Sequence, residues 1–537
     1  MSNKIQKKIP VEVQNRSGNN LSHQSSFTCY NGQIVPIMCR HIMPNSNVSL
    51  DVACEVNLPP AISDYYGSIE ARMEFFYVPY RTLWQGFKYF FMNNPQGGSF
   101  PSLSNTQLQI KKVPGLTISK GDVLKLGRGS LADFLGLKIN SLNRSYYVNG
   151  VNLPNILPFV GYHRVVDSFY RDRRIQQPLF LPAVGNSDNW TNLPYIFGAN
   201  PNGSKKYYST EADGYNILDL RQRLWDQDYF TNATPSPQAG NAVSLQFETQ
   251  GEVVEGAGGA TQGHGSFTIS SLRVANALQK FAEINNIASA DYAQQQLARF
   301  GCLPSDSILD RPIYLGQKRF NVRKRSVFQQ SGAEPTNANP FSGMLANQTS
   351  ALSGYGEGRL GKFYAKDPGL LYVMFSVVPQ ATYSTGTARY LLYEDLSDFP
   401  EPLLQGVGDQ PIYDIELSDD NPTSYKQHVF GYTQRYAEQK FCPDQVHGKL
   451  VDGENLSMFQ LQRSFDSAPD LGTQFLEIPQ DYLDQISNVD ATISEFGARC
   501  NAFFNFKVVQ PLAAYSIATL GDNPDTHTVL IDHNKRL

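Results

Sequence analysis

Hydrophobic and polar positions change period at one place in this chain, and the rest can be read outward from there. Over residues 68–75, Ser68-Ile69-Glu70-Ala71-Arg72-Met73-Glu74-Phe75, apolar and polar side chains alternate strictly. A period of two puts Ile69, Ala71, Met73, Phe75 and Tyr77 on one face of a β-strand. Pro79, with no N–H to give to a ladder, closes that strand. From Thr82 the period becomes helical: Leu83, Phe87 and Phe90 share a stripe flanked by Trp84 and Phe91. Met73, Phe75, Tyr77, Pro79, Trp84 and Phe87 are therefore expected to form a structural packing centre with no catalytic part.

Upstream, residues 33–38 read as a strand in which Pro36 demands an edge position or a bulge. Asn45-Ser46-Asn47 reads as a turn, and residues 48–54 alternate again. Strands joined by turns, with no helix between them, predict an antiparallel β architecture. Downstream the pattern loosens. Residues 93–127 are rich in Pro, Gly, Ser and Asn, and a short helix capped by Ser130 follows. Val165, Val166, Phe169 and Tyr170 predict a helix over 162–174, ending in Arg171, Arg173 and Arg174. Segments 185–216 and 240–266 are weakly periodic and read as exposed variable loops. Residues 271–301 are the clearest helical region, with Leu272, Ala275, Leu278 and Ala282 on one face and Gly301 as the residue after the C-cap. Strands return with the almost unbroken apolar run 370–378, as expected of a strand covered on both sides. In 503–509, Phe504, Phe506 and Val508 share a face. Strands at both ends require the termini to pair across the whole chain. The expectation is one β domain over 29–537, with a long insertion region at about 93–365, preceded by a polar, flexible arm over 1–28 that carries Lys4, Lys7 and Lys8.

The chain has 537 residues, 41% apolar and 12% aromatic, enough for a sizeable core and unlike a disordered polymer. A net charge of −4 means that nucleic-acid binding would need a local basic face. Cys29, Cys39, Cys54, Cys302, Cys442 and Cys500 are scattered, without the spacing of a zinc site or a disulfide framework, and read as buried free thiols. The sequence begins without an apolar leader, and the longest apolar run is too short to cross a bilayer. A soluble chain made in a reducing cytoplasm, without membrane insertion, is expected.

Candidate chemistry is sparse. Gly356-Glu357-Gly358-Arg359-Leu360-Gly361 matches the dinucleotide fingerprint letter for letter, but Ser/Asn-rich sequence precedes it and a strand pattern follows. It reads as a loop. No nucleophile-elbow, zincin or P-loop motif occurs, and the eight histidines are dispersed. Neither cofactor nor catalytic site is expected. The acidic run at 416–420 precedes Asn421-Pro422 and reads as a solvated turn. The best constellation is Lys318, Arg319, Phe320, Arg323, Lys324 and Arg325, where cations would hold phosphates and Phe320 would stack on an unpaired base; a solvated face or a subunit contact is the alternative reading. Arg171, Arg173 and Arg174 are a second, weaker candidate.

Several of these segments carry a resemblance. Residues 73–84, Met73-Glu74-Phe75-Phe76-Tyr77-Val78-Pro79-Tyr80-Arg81-Thr82-Leu83-Trp84, resemble the F-x-F-Y-V-P-x-R segment of microvirus major capsid proteins. Phe169-Tyr170-Arg171-Asp172 is similar to that family's W-F-R-D, and Asp228-Tyr229-Phe230-Thr231 with Pro237-Gln238-Ala239-Gly240 to D-Y-F-T and P-Q-x-G. Residues 129–137 form a further block. Arg311-Pro312-Ile313-Tyr314-Leu315-Gly316 and Gly431-Tyr432-Thr433-Gln434-Arg435-Tyr436-Ala437-Glu438 resemble R-P-x-Y-L-G and G-Y-Q-E-R-Y-A-E. The blocks keep the family's order and are most similar to its gokushovirus branch. The resemblance implies a mainly β fold, a single eight-stranded antiparallel jelly roll with long, partly helical insertions. It also implies a non-enzymatic subunit of a T=1 icosahedral shell around circular single-stranded DNA. A small basic DNA-binding protein, a pilot protein, a scaffolding protein and a host receptor are the implied partners, and the segment matching the three-fold protrusion, about 241–266, is short. The competing classes are a β-sandwich spike that binds a receptor or glycan, and a β-rich hydrolase with paired carboxylates.

Overall fold

The computed structural model describes residues 16–61, 64–84, 87, 91, 113–118, 126–137, 151–176, 207–208, 211–212, 215–237, 269–287, 292–302, 311–328, 348–418, 428–487 and 497–512. Ten strands form two antiparallel sheets: β1 (Ser17–Asn20), β2 (His23–Cys29), β3 (Val35–Ile42), β4 (Ser46–Asn57), β5 (Ile69–Pro79), β6 (Ile313–Asn321), β7 (Arg323–Phe328), β8 (Gln348–Ala365), β9 (Gly369–Pro379) and β10 (Ala498–Gln510). The first sheet runs β10-β4-β8-β7, and β1 and β2 both pair with the free side of β10. The second runs β6-β5-β9-β3. The chain is mainly β.

Alternation explains how the two sheets meet. Val48, Leu50, Val52, Cys54 and Val56 of β4, with Phe504, Phe506 and Val508 of β10, point inward. They pack on Ile69, Ala71, Met73, Phe75 and Tyr77 of β5 and on Leu371, Val373, Phe375 and Val377 of β9 in one continuous core. Met73, Phe75 and Tyr77 are at most 1% exposed, and burial of each such side chain stabilises by about 1.5–3 kcal/mol.

The opposite face of β5 is also covered. Phe76 and Val78, with Leu370, Tyr372 and Met374 of β9, pack under α1 (Leu157–Phe169) together with Leu83 and Trp84. The polar members of the alternating run are therefore buried: Arg72 is 2% and Glu74 7% exposed. Arg223 Nη1 and Nη2 donate to Glu74 at 2.9 and 3.2 Å, and Tyr170 donates its hydroxyl to the same carboxylate. Arg72 is paired with Glu70 and Asp226. These charges pin the segment around Arg223 and Asp226 onto the sheet.

β3 is an edge strand with a register shift opposite Pro36, and Asn45 takes φ +62° in the turn before β4. Ser130 caps a single helical turn, Leu131–Phe134, by accepting from the Asp133 amide. β9 is buried along its whole length, and β1 and β2 pair with β10, so the first strands of the sheet meet the last one. That pairing corrects the arm: residues 17–28 lie in the sheet because Gln24, Ser26 and Thr28 find ladder partners on β10, while 1–15 lie outside the described residues. The helix predicted from Thr82 opens as one turn, Tyr80–Leu83, and is interrupted at Trp84, which is extended; Phe87 and Phe91 are helical again, and Phe87 packs on the second core.

The 162–174 helix ends at Phe169. The 271–301 helix is two, α2 (Ile269–Ile287) and α3 (Tyr292–Phe300). Gly301 does follow α3, with φ +69° and its N–H on Leu297 O at 2.8 Å. On α2, Leu278 is 49% exposed and Ala275 half-buried. Cys29, Cys54 and Cys500 are buried, but Cys302 and Cys442 are exposed. No described helix is long and apolar enough to cross a membrane. The expected loops at 185–216 and 240–266 fall almost wholly outside the described residues.

The largest correction concerns the glycine run. Residues 356–361 lie inside β8, not in a loop. A Cβ on Gly356 would overlap the Phe320 ring, and one on Gly358 would press on Lys318 and Phe75. The glycines let β6 cross β8 at backbone distance where one sheet passes into the other. Gly361, at φ +75°, serves the bulge that lets β8 stay in register with β4.

Candidate nucleic-acid interface

The basic run Lys318–Arg325 is split by the fold. Lys318, Arg319 and Phe320 lie on β6, at the edge of the second sheet, opposite Met73, Arg72 and Ala71 of β5. Val322, whose N–H bonds Ile69 O at 2.9 Å, is the crossing point. Arg323, Lys324 and Arg325 lie on β7, at the edge of the first sheet, opposite Ser353, Leu352 and Ala351.

Period two then divides the run again. Phe320 turns inward, is 9% exposed and belongs to the central core; it is not available to stack on a base, which corrects its proposed role. Lys324 is held on the core side: its ammonium donates to Tyr65 O, lies 3.2 Å from Asp64 and sits over the rings of Tyr65 and Tyr66. Burial with the neighbouring Asp64 pushes the Tyr65 hydroxyl up to about 12, so it stays neutral. Arg319 is exposed beside Asp226, whose carboxyl is held below its ordinary value chiefly by Arg72. Only Arg323 and Arg325 project from the outer face of the first sheet.

The second candidate is structural. Arg171 Nε donates to Asp167 at 2.8 Å and its Nη1 to Gln176 O at 2.8 Å. Arg174 forks onto Asp172 at 3.2 and 3.0 Å and reaches Asn232. Their side chains are only 10% and 19% exposed, and Arg173 is half-buried beside them. These pairs end α1 and hold the 226–232 turn against it.

The acidic turn also changes character. Glu416 is 5% exposed and accepts from Arg389 at 2.7 Å, from Tyr229 at 3.0 Å and from the Tyr413 amide at 2.9 Å. Burial raises its pKa, against the pull of Arg389. Its bonds make it a brace between loops, and no group of His, Cys, Asp or Glu among the described residues is arranged to hold a metal.

Four exposed cations were missed: Arg359 and Lys362 on β8, and Arg499 and Lys507 on β10. They share the outer face with Arg323 and Arg325. Their signal was the same period of two. Phe504, Phe506 and Val508 facing in force Phe503, Asn505 and Lys507 out.

The sequence model of the capsid protein (F protein) family matches residues 7–264 and 260–520. Among curated relatives, capsid protein VP1 of Chlamydia phage 1 is 22% identical, over 95% of this chain and 97% of its own length. Capsid protein VP1 of Bdellovibrio phage phiMH2K is likewise 22% identical, over 96% and 97%, and that of Spiroplasma virus 4 is 20% identical, over 93% and 94%. With the family's signature running through nearly the whole sequence, the chain belongs to the capsid protein (F protein) family and is a major structural protein of a bacteriophage virion.

Proposed function

We propose that this chain folds as one eight-stranded jelly roll that closes a T=1 icosahedral shell around circular single-stranded DNA. The strand order supports the fold reading. Setting aside the edge additions β1 and β7, eight strands remain in two sets of four, β2-β10-β4-β8 and β3-β9-β5-β6. In chain order the path alternates between the sheets at β2, β3, β4 and β5, and again at β6, β8, β9 and β10, which is the double Greek-key winding of that architecture.

The observation that carries assembly is the apolar surface left open in the single chain. Between residues 390 and 407, Leu396 is 87%, Leu403 88% and both Tyr390 and Leu391 67% exposed. Val274, Leu278, Phe281 and Ile284 of α2 add a second open stripe. Apolar side chains this open in clusters mark contacts with neighbours, and closed symmetry lets modest contacts sum to a stable particle. Scaffolding, pilot and small basic DNA-binding proteins, a host receptor, and outer protrusions built by 185–216 and 240–266 belong to the same reading.

Negative-stain electron microscopy with nuclease protection tests it. Closed isometric particles that protect circular single-stranded DNA are expected. Soluble trimers or monomers, even with the partner proteins supplied, would overturn the shell and favour a spike.

A further inference from the structure

The two sheets are treated differently by the rest of the chain. The outer face of β5 and β9 is sealed by α1 and the second core, whereas the outer face of β2-β10-β4-β8-β7 stays open along its length. Cross-strand partners share a face in an antiparallel ladder, so the registers define its rows. One row reads Arg323, Ser353, Asn57, Arg499 and Thr28. Another reads Lys362, Ser49, Lys507 and Asn20. Between these cationic rows lie Tyr355, Glu55, Asn501 and Ser26, then Glu357, Ala53, Phe503 and Gln24.

From these rows we infer that the open face of the first sheet is a binding platform for single-stranded nucleic acid. Charge complementarity is the first argument. On a chain of net charge −4, this face carries Arg323, Arg325, Arg359, Lys362, Arg499 and Lys507 against only Asp51, Glu55 and Glu357. Asp51 is itself neutralised by Arg359 at 3.1 Å.

The second argument is the aromatic residues. Tyr355 is 60% and Phe503 45% exposed in the middle of a sheet whose inward neighbours are all buried. Open rings flanked by cations suit unpaired bases, which stack on them while phosphates meet the cations. Arg499 and Lys507 are eight residues apart on one strand, about 26 Å, a span of a few extended nucleotides. The third argument is polar. Asn501, Asn505 and Gln24 lie between the cationic rows, and Asn57 within one, and they offer both donors and acceptors to base edges; the Glu55 and Glu357 carboxylates accept from exocyclic amines. A duplex hides the base faces and the Watson–Crick edges, so a platform with open rings fits a single strand.

In a shell subunit this face would meet the enclosed genome, and to that extent the inference rests on the proposed packaging role. The test uses the full-length chain and fluorescent oligo(dT) and oligo(rU) in an anisotropy titration across salt. Arg499→Ser with Lys507→Ser is expected to weaken binding and flatten the log K against log salt slope by about 1.4, two contacts at about 0.7 each. Tyr355→Ala and Phe503→Ala are each expected to weaken binding about tenfold, with urea unfolding unchanged. Tighter oligo(dT) binding identifies DNA as the ligand, and equal binding leaves the class as single strands of either sugar.

Affinity unmoved by all four substitutions overturns the inference, as does affinity lost only on changing Lys318 or Arg319. Acetylation of Lys362 and Lys507 in particles separates protein from nucleic acid as the cover. Protection only in filled particles supports the platform, and protection in empty ones means another copy covers the face. Oligonucleotide binding that maps here in a chain forming no particles would sink the packaging role and leave the platform standing. Particles that package normally with every variant would sink the platform alone.

Discussion

Phe320 and Gly356 compete for one space, and that contact sets the sign of the effect of alanine at Gly356. Phe320 is 9% exposed within the central core, and its ring occupies the space where a Cβ on Gly356 would go. Were Gly356 an ordinary strand glycine, alanine there would gain about 0.5–1 kcal/mol in backbone entropy. The overlap with the Phe320 ring instead imposes an overpacking cost of about 1–3 kcal/mol, so Gly356→Ala is expected to destabilise. Phe320→Ala removes a buried ring and leaves a cavity, at about 3–5 kcal/mol. That cavity receives the new methyl, so the double variant should be at least about 1 kcal/mol better than the two losses combined. Urea unfolding followed by the fluorescence of buried Trp84 and Trp225 measures all four corners of the cycle. Additivity within about 0.5 kcal/mol, or a Gly356→Ala variant more stable than the parent, would refute the packing argument.

Further outcomes follow from the same reasoning. Glu74→Ala strands Arg223 as an unpaired buried charge and is expected to cost about 3–5 kcal/mol, with Glu74→Ala/Arg223→Met recovering most of it in urea unfolding. His163, buried with Nε2–H on Ile217 O at 2.9 Å, has its pKa lowered to about 3, first by burial and then by Arg221. An unfolded chain takes up that proton near 6.5, so the contribution is complete above 6.5. It is lost as pH falls, at about 1.4 kcal/mol per unit down to about 3. His163→Gln should flatten the fall in urea midpoint between pH 6.5 and 4.5, and an unchanged profile would remove His163 as its cause. Leu403→Glu, at a side chain 88% exposed, should leave unfolding within about 0.5 kcal/mol of the parent while reducing particle yield in sedimentation; undiminished yield would clear that surface of a role in assembly.

Local rules carried a definite part of this protein. Strict alternation at 68–75, the apolar run at 370–378 and the Phe504, Phe506, Val508 stripe each specify a strand, and the first and last also its inward face, because side-chain direction in a strand depends only on the parity of the position. Ser130, Asn45, Pro36 and Gly301 likewise mark a cap, a turn, an edge and a helix end through their own backbone chemistry. What parity cannot say is whether a face is covered. Arg72 and Glu74 read only as the polar face of the strand until Asp226, 154 residues on, pairs with Arg72, and Arg223 and Tyr170, 149 and 96 residues on, pair with Glu74.

Phe320 looks like part of a basic surface until β6 crosses β8 and turns it into the core, and glycines that look like a loop are the reason the crossing fits. The basic run Lys318–Arg325 was visible as a string, yet a string that passes between two sheets divides its charges among three surfaces. The face that gathers six cations draws them from β7, β8 and β10, which only the ladder between distant strands brings side by side. Contacts within a few residues are written in order along the chain. Those between sheets are decided by registers that no single stretch contains.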